Sequence, residues 1–186
     1  MSLVELIAQA DERGLAVSGL ACLDRCLPLL GGDEEALRPL WGAVAQGAGD
    51  DWGERLGEVR GGLEAAGEPA PAEDEAALLA HGMLAAAPHA PTAAAVRRWA
   101  EDCSVASLRV HRILDPADDA APLDARREGR TEGMSPLVAA ELRRQIAVLE
   151  LLSGHGPAGL RQALVVSLEG RRVLRAVVSR RARGRV

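Results

Sequence analysis

The sequence predicts an all-α fold, a helical bundle or irregular helical array of about seven or eight helices. Apolar residues return every three or four positions in one segment after another. Most of these segments open on a capping residue, and several close on Gly or Pro. Ala and Leu dominate a core that has no Phe or Tyr, which favours close contact between helix backbones.

The first helix opens on Ser2 with Glu5 three residues on, a capping box. Leu3, Leu6, Ile7 and Ala10 follow at helical spacing, with Gly14 as the expected stop. A second helix carries Leu20, Leu23, Cys26 and Leu27, and Pro28 with Gly31 and Gly32 breaks it. Asp33 is the expected cap of a third, with Glu34 and Glu35 in its first turn, Leu37, Leu40, Trp41 and Val44 as its stripe, and a kink at Pro39. Asp50 or Asp51 opens a fourth helix bearing Trp52, Leu56, Val59 and Leu63, and residues 67–72 form a Pro/Gly linker.

A fifth helix runs over 72–86, and Thr92 caps a sixth with Val96, Trp99, Cys103 and Ala106 on one stripe. Residues 115–133 read as a long loop, either mobile or functional. Ser135-Pro136 starts a seventh helix that continues through Leu142, Ile146, Leu149 and Leu152 to a break at Gly154-His155-Gly156-Pro157. The stretch 160–178 reads two ways. It is a helix with Leu160, Leu164, Leu168 and Leu174 on one face, or a β-hairpin turning at Glu169-Gly170-Arg171-Arg172. Helix is preferred because a lone hairpin is marginal.

A chain of 186 residues fits a single helical domain spanning 1–186, with the linker 67–72 as its one internal sub-boundary and 180–186 as a frayed basic tail. This length buries enough surface to fold without a disulfide or metal. The odd set Cys22, Cys26 and Cys103 suits reduced thiols, and neither a signal peptide nor a long apolar run is present. The expectation is a cytoplasmic protein without a membrane segment.

All 22 basic side chains are Arg. Without Lys there is no Schiff base and no Walker-type phosphate loop. No motif implies a cofactor, so cofactor identity stays open. Cys22 and Cys26 share a helix face and read as core rather than as half a zinc site. Asp115, Asp118, Asp119 and Asp124 lack the spacing of a calcium loop and read as loop solvation and capping. His81, His111 and His155 are the candidate metal ligands, if the fold gathers them on a helical bundle as a small metal-dependent enzyme would.

Charge is unevenly spread. Residues 1–95 carry a net −11 and residues 96–186 a net +6, within an overall −5. The last sixteen residues hold seven Arg and no acid. Arg171, Arg172, Arg175, Arg180 and Arg181 are therefore the candidate nucleic-acid or partner-binding residues. They could neutralise phosphates, or dock on the acidic half of the same chain or of a partner. The leading expectation is a non-enzymatic interaction or regulatory protein that self-associates, or binds a protein partner, through charge-complementary helices. A nucleic-acid-associated protein using the Arg-rich C-terminus is the alternative.

Overall fold

The computed structural model describes residues 1–47, 49, 51–67 and 70–184. Among these it is all helical: α1 (Leu3–Gln9), α2 (Glu12–Arg25), a 3-10 turn (Leu27–Leu29), α3 (Arg38–Ala45), α4 (Trp52–Ala66), α5 (Glu75–Ala85), α6 (Ala93–Leu114), α7 (Leu123–Arg127) and α8 (Pro136–Arg183). Asp50 as a helix opener, Glu68 and Pro69 of the linker, and Arg185 lie outside the described residues.

Helix α2 is the axis of the molecule. Every residue from Gly14 to Leu27 is buried, because α6 packs on one side of it and α8 on another. The capping box of α1 forms as the spacing requires, with Glu5 accepting from the Ser2 N–H (2.7 Å) and Ser2 Oγ accepting from the Glu5 N–H (3.3 Å). Gly14 is not a stop. The Asp11 carboxylate accepts its N–H (2.7 Å) and makes it the third residue of α2. Pro39 likewise starts α3 instead of kinking it, since a missing N–H costs nothing in a first helical turn.

The three Trp residues form part of the core. Trp52 and Trp99 meet edge to face with centroids 5.8 Å apart, and their indole N–H groups donate to the Pro88 and Met83 carbonyls (2.7 and 2.9 Å). The Trp99 ring lies over Gly19, 2.8 Å from where a Cβ would stand, so α2 and α6 approach as closely as a glycine allows.

The hairpin alternative at 160–178 is overturned: the described residues contain no strand, and this stretch is helix within α8. Leu160 and Leu174 on its inner face are buried, with Leu164 and Leu168 half-buried beside them, and a two-stranded ribbon would offer no comparable burial. The break does fall where the Gly-His-Gly-Pro sequence puts it. Gly156 has φ 50° and ψ −132°, a conformation open to glycine alone, and divides α8 into a proximal and a distal arm. The arms fold back on one another. Arg144 Cδ comes within 3.0 Å of the Cβ position of Gly170, although the two residues are 26 apart in sequence.

The segment 115–133 is held by its own ionic bonds. Asp119, buried, accepts from Arg126 Nη2 (2.7 Å) and from the Ser135 N–H (3.3 Å). Arg126 Nη1 donates to the carbonyls of Arg130 and Glu132 (3.0 and 2.7 Å). Asp115 accepts the Leu137 N–H (2.7 Å), capping α8 in place of Ser135, whose side chain makes no cap bond.

A Cβ at Gly170 would stand 2.4 Å from Arg25 Cδ and 2.8 Å from Arg25 Cγ, in the middle of a buried stem that cannot swing away. Gly170→Ala is expected to cost about 1–3 kcal/mol, read as a lower urea midpoint. An unchanged midpoint would mean that the arms do not close on Arg25.

Candidate functional site

Where α2, α6 and the proximal arm of α8 meet, the core is polar. Ser104, Ser107 and His111 face inward from α6, Glu141 and Gln145 from α8, and Cys22, Arg25 and Cys26 from the C-terminal end of α2. Glu141 is the hub. Its Oε2 accepts from Arg25 Nε (2.8 Å), while Oε1 accepts from Arg25 Nη2 (2.8 Å), Ser107 Oγ (2.7 Å) and Gln145 Nε2 (2.9 Å). Both partners of this bidentate pair have no exposed side-chain surface. Ser104 Oγ donates to Gln145 Oε1 (2.7 Å) and accepts from Arg127 Nε (3.2 Å), which carries the network to α7.

Burial pushes the Glu141 carboxyl up, but the Arg25 charge and the bonds to it outweigh that and hold it at about 2. Burial pushes the Arg25 guanidinium down, and Glu141 more than restores it. His111 Nδ1 lies 2.7 Å from the Ser107 carbonyl, which can only accept, so Nδ1 carries the proton. Its Nε2, 3.6 Å from Glu141 Oε2, holds the lone pair. Burial lowers the His111 pKa against the pull of Glu141, so the ring is neutral near pH 7. Burial also raises the Cys22 thiol to about 12 and pushes Cys26 and Cys103 well up, which leaves all three as inert thiols. The chemistry of this cluster is therefore cohesive: a carboxylate, a guanidinium and a neutral imidazole are locked together out of reach of any solute.

A second buried pair stands one residue away. Asp24 accepts from Arg171 Nε (2.7 Å) of the distal arm and from Trp41 Nε1 (2.6 Å) of α3. Arg171 Nη1 also donates to the Glu34 carbonyl (2.5 Å), and Arg175 is paired with the Glu34 carboxylate. Two of the five C-terminal arginines thus dock on the acidic N-terminal half of their own chain. Arg172, Arg180 and Arg181 are exposed, and of these Arg181 donates through Nη1 to the Ile113 carbonyl at the end of α6 (3.1 Å).

The three histidines are not brought together. His111 is buried in the ionic centre, His155 is exposed beside the Gly156 break, and His81 lines a cleft of about 390 Å³ with Arg60, Leu63, Glu64 and Leu84. Among the described residues, no three His, Cys, Asp or Glu side chains are grouped to hold a metal ion.

The ionic centre is not among the candidate sites that composition and motif spacing single out. Its signal was available: Glu141 and Gln145 are four apart and flank the apolar Val138, Leu142 and Leu149, and Ser104, Ser107 and His111 lie on one face of α6.

The outer face of the distal arm is different in kind. Val165 and Val173, two turns apart, are 59% and 36% exposed, among Arg161, Arg172, Arg180 and Arg183. Among the described residues no helix is long and apolar enough to cross a membrane. No protein-family model matches the chain, and no curated protein or solved structure matches it.

Truncating either partner of the central pair leaves a buried charge alone. Arg25→Met or Glu141→Leu is expected to lose about 3–5 kcal/mol, and the double variant to regain much of it. Denaturant titrations test this, and equal losses in the single and double variants would contradict it.

On unfolding, Glu141 returns from about 2 towards 4.5 and His111 rises to 6.5, so the unfolded chain binds more protons. Stability therefore falls as pH drops below about 6.5 through His111, and again below about 4.5 as Glu141's contribution is lost towards pH 2. His111→Asn should flatten the first step and leave the second. An unaltered profile between pH 7.5 and 5.5 would remove His111 from the account.

Proposed function

We propose that this chain is a non-enzymatic interaction or regulatory protein that self-associates through charge-complementary helices. The observation that carries the reading is the distal arm of α8, whose inner arginines already bind acids of the N-terminal half. Its outer face carries exposed valines among arginines that make no ion pair with the described residues. The same recognition chemistry, guanidinium on carboxylate beside a small apolar contact, is available to a second molecule. The thiols Cys22, Cys26 and Cys103 are all free, in keeping with work in the reducing cytoplasm.

A second reading, nucleic-acid binding, is favoured by the exposed Arg172 and Arg180. It predicts a gel shift at low salt that disappears when both are changed to Ser.

Sedimentation velocity over a range of protein concentrations tests the first reading. The mass average should rise with concentration at low ionic strength and fall towards the monomer in about 1 M salt, where screening acts over ~3 Å. A monomer at every concentration and salt would sink the proposal.

A further inference from the structure

The surface that receives this arm can be sought on the same chain, because self-association requires that each copy carry both halves of the contact. Helix α4 buries Trp52, Leu56, Val59 and Leu63 on its inner face. Its outer face carries Glu54, Glu58, Gly57 and Gly61, all exposed, with Glu64 one turn on. Among the described residues, nothing beyond the neighbouring backbone of α4 itself lies within 4 Å of where a Cβ would stand at Gly57, Gly61 or Gly62. Within the monomer these glycines have no packing reason, and each costs the helix about 0.5–1 kcal/mol relative to Ala. They leave the backbone of α4 bare between acidic side chains.

The outer face of the distal arm is the complement of this surface. Arg161, Arg172, Arg180 and Arg183 stand against a single carboxylate, Glu169, and Val165 and Val173 project as short apolar knobs. On α4 the acids Glu54, Glu58 and Glu64 outnumber Arg55 and Arg60; Arg55 is already paired with Glu58 (3.0 Å), and half-buried Arg60 is turned to the carbonyls of Leu84, Ala85 and Ala87. Two arms laid on each other would oppose arginine to arginine, which argues against a symmetric arm-to-arm dimer.

Resting on the self-association reading, we infer that the distal arm of α8 docks on the glycine-bared, acidic face of α4 in a second copy of this chain. The valines sit over Gly57 and Gly61, and the arginines reach Glu54, Glu58 and Glu64. The two faces are different, so the contact is heterologous, and each bound copy still offers one free arm and one free α4. Assembly therefore continues beyond the dimer as concentration rises. A single helix-on-helix contact lies at the small end of specific interfaces, so its affinity is low and salt-sensitive.

Complementation between two full-length variants tests this. One blocks the arm with Val165→Ser and Arg172→Ser. The other blocks α4 with Gly57→Gln and Gly61→Gln. All four positions are exposed, and Gln is a better helix former than Gly, so both variants keep the fold, as circular dichroism checks. Sedimentation velocity at low salt should show each variant alone as a monomer, with its association constant reduced at least about tenfold. An equimolar mixture should form a 1:1 complex and stop there, because the mixture retains one intact arm and one intact α4.

If the wild-type chain associates and both variants associate as it does, these two surfaces are wrong while self-association stands. If each variant is monomeric and the mixture remains so, the head-to-tail pairing is overturned. If the wild-type chain is itself monomeric throughout, the underlying reading fails, and this inference with it.

Discussion

The pair of neighbouring charges at the end of α2 fixes the arrangement of everything around it. Asp24 and Arg25 are adjacent in sequence and both fully buried, and they bind opposite charges on the two arms of α8. Arg25 takes Glu141 of the proximal arm and Asp24 takes Arg171 of the distal arm. An unpaired ion in this interior would cost several kcal/mol, so any packing that separates either pair is heavily penalised. Apolar packing of Leu, Val and Ala tolerates sliding and rotation, whereas two reciprocal ion pairs specify one position for each arm.

Other features follow from that clamp. Gly170 is required where the Arg25 stem crosses the distal arm, and Gly156 is required where the chain turns to bring that arm back. Trp41 joins α3 to the same carboxylate, and Arg175 with Glu34 fastens the segment before α3. The inner face of the distal arm is thus committed to the fold, and its outer face is exposed. The same burial that makes the centre cohesive raises the thiols and neutralises His111, so groups that look reactive in the sequence become structural.

The helices were legible in the sequence because their signals are local. Ser2 with Glu5, Thr92, and Ser135 with Pro136 each mark a start found in the structure, and the Gly-His-Gly-Pro break falls within α8 at Gly156. The errors also have local causes. By residue type alone Gly14 signals a stop and Pro39 a kink, but the Asp11 carboxylate and the first-turn position of Pro39 reverse their meaning. The ionic centre was not legible. Its partners are separated by 116 residues for Arg25 and Glu141, and by 147 for Arg171 and Asp24, and no periodicity relates one helix to another. The distal arm was ambiguous for the same reason: Arg171 and Arg175 on an apolar face look like a flaw until their acids are found across the chain.

The most direct test of this account is the distance between the two arms. Spin labels introduced at the exposed Arg143 and Arg172 lie on either side of the Gly156 turn, and pulsed dipolar spectroscopy reads their separation. Arms folded back and held by Asp24 and Arg25 predict a distance of about two helix diameters or less, roughly 20 Å. One continuous helix would place the labels roughly 40–45 Å apart at 1.5 Å per residue, and that result would contradict the clamp.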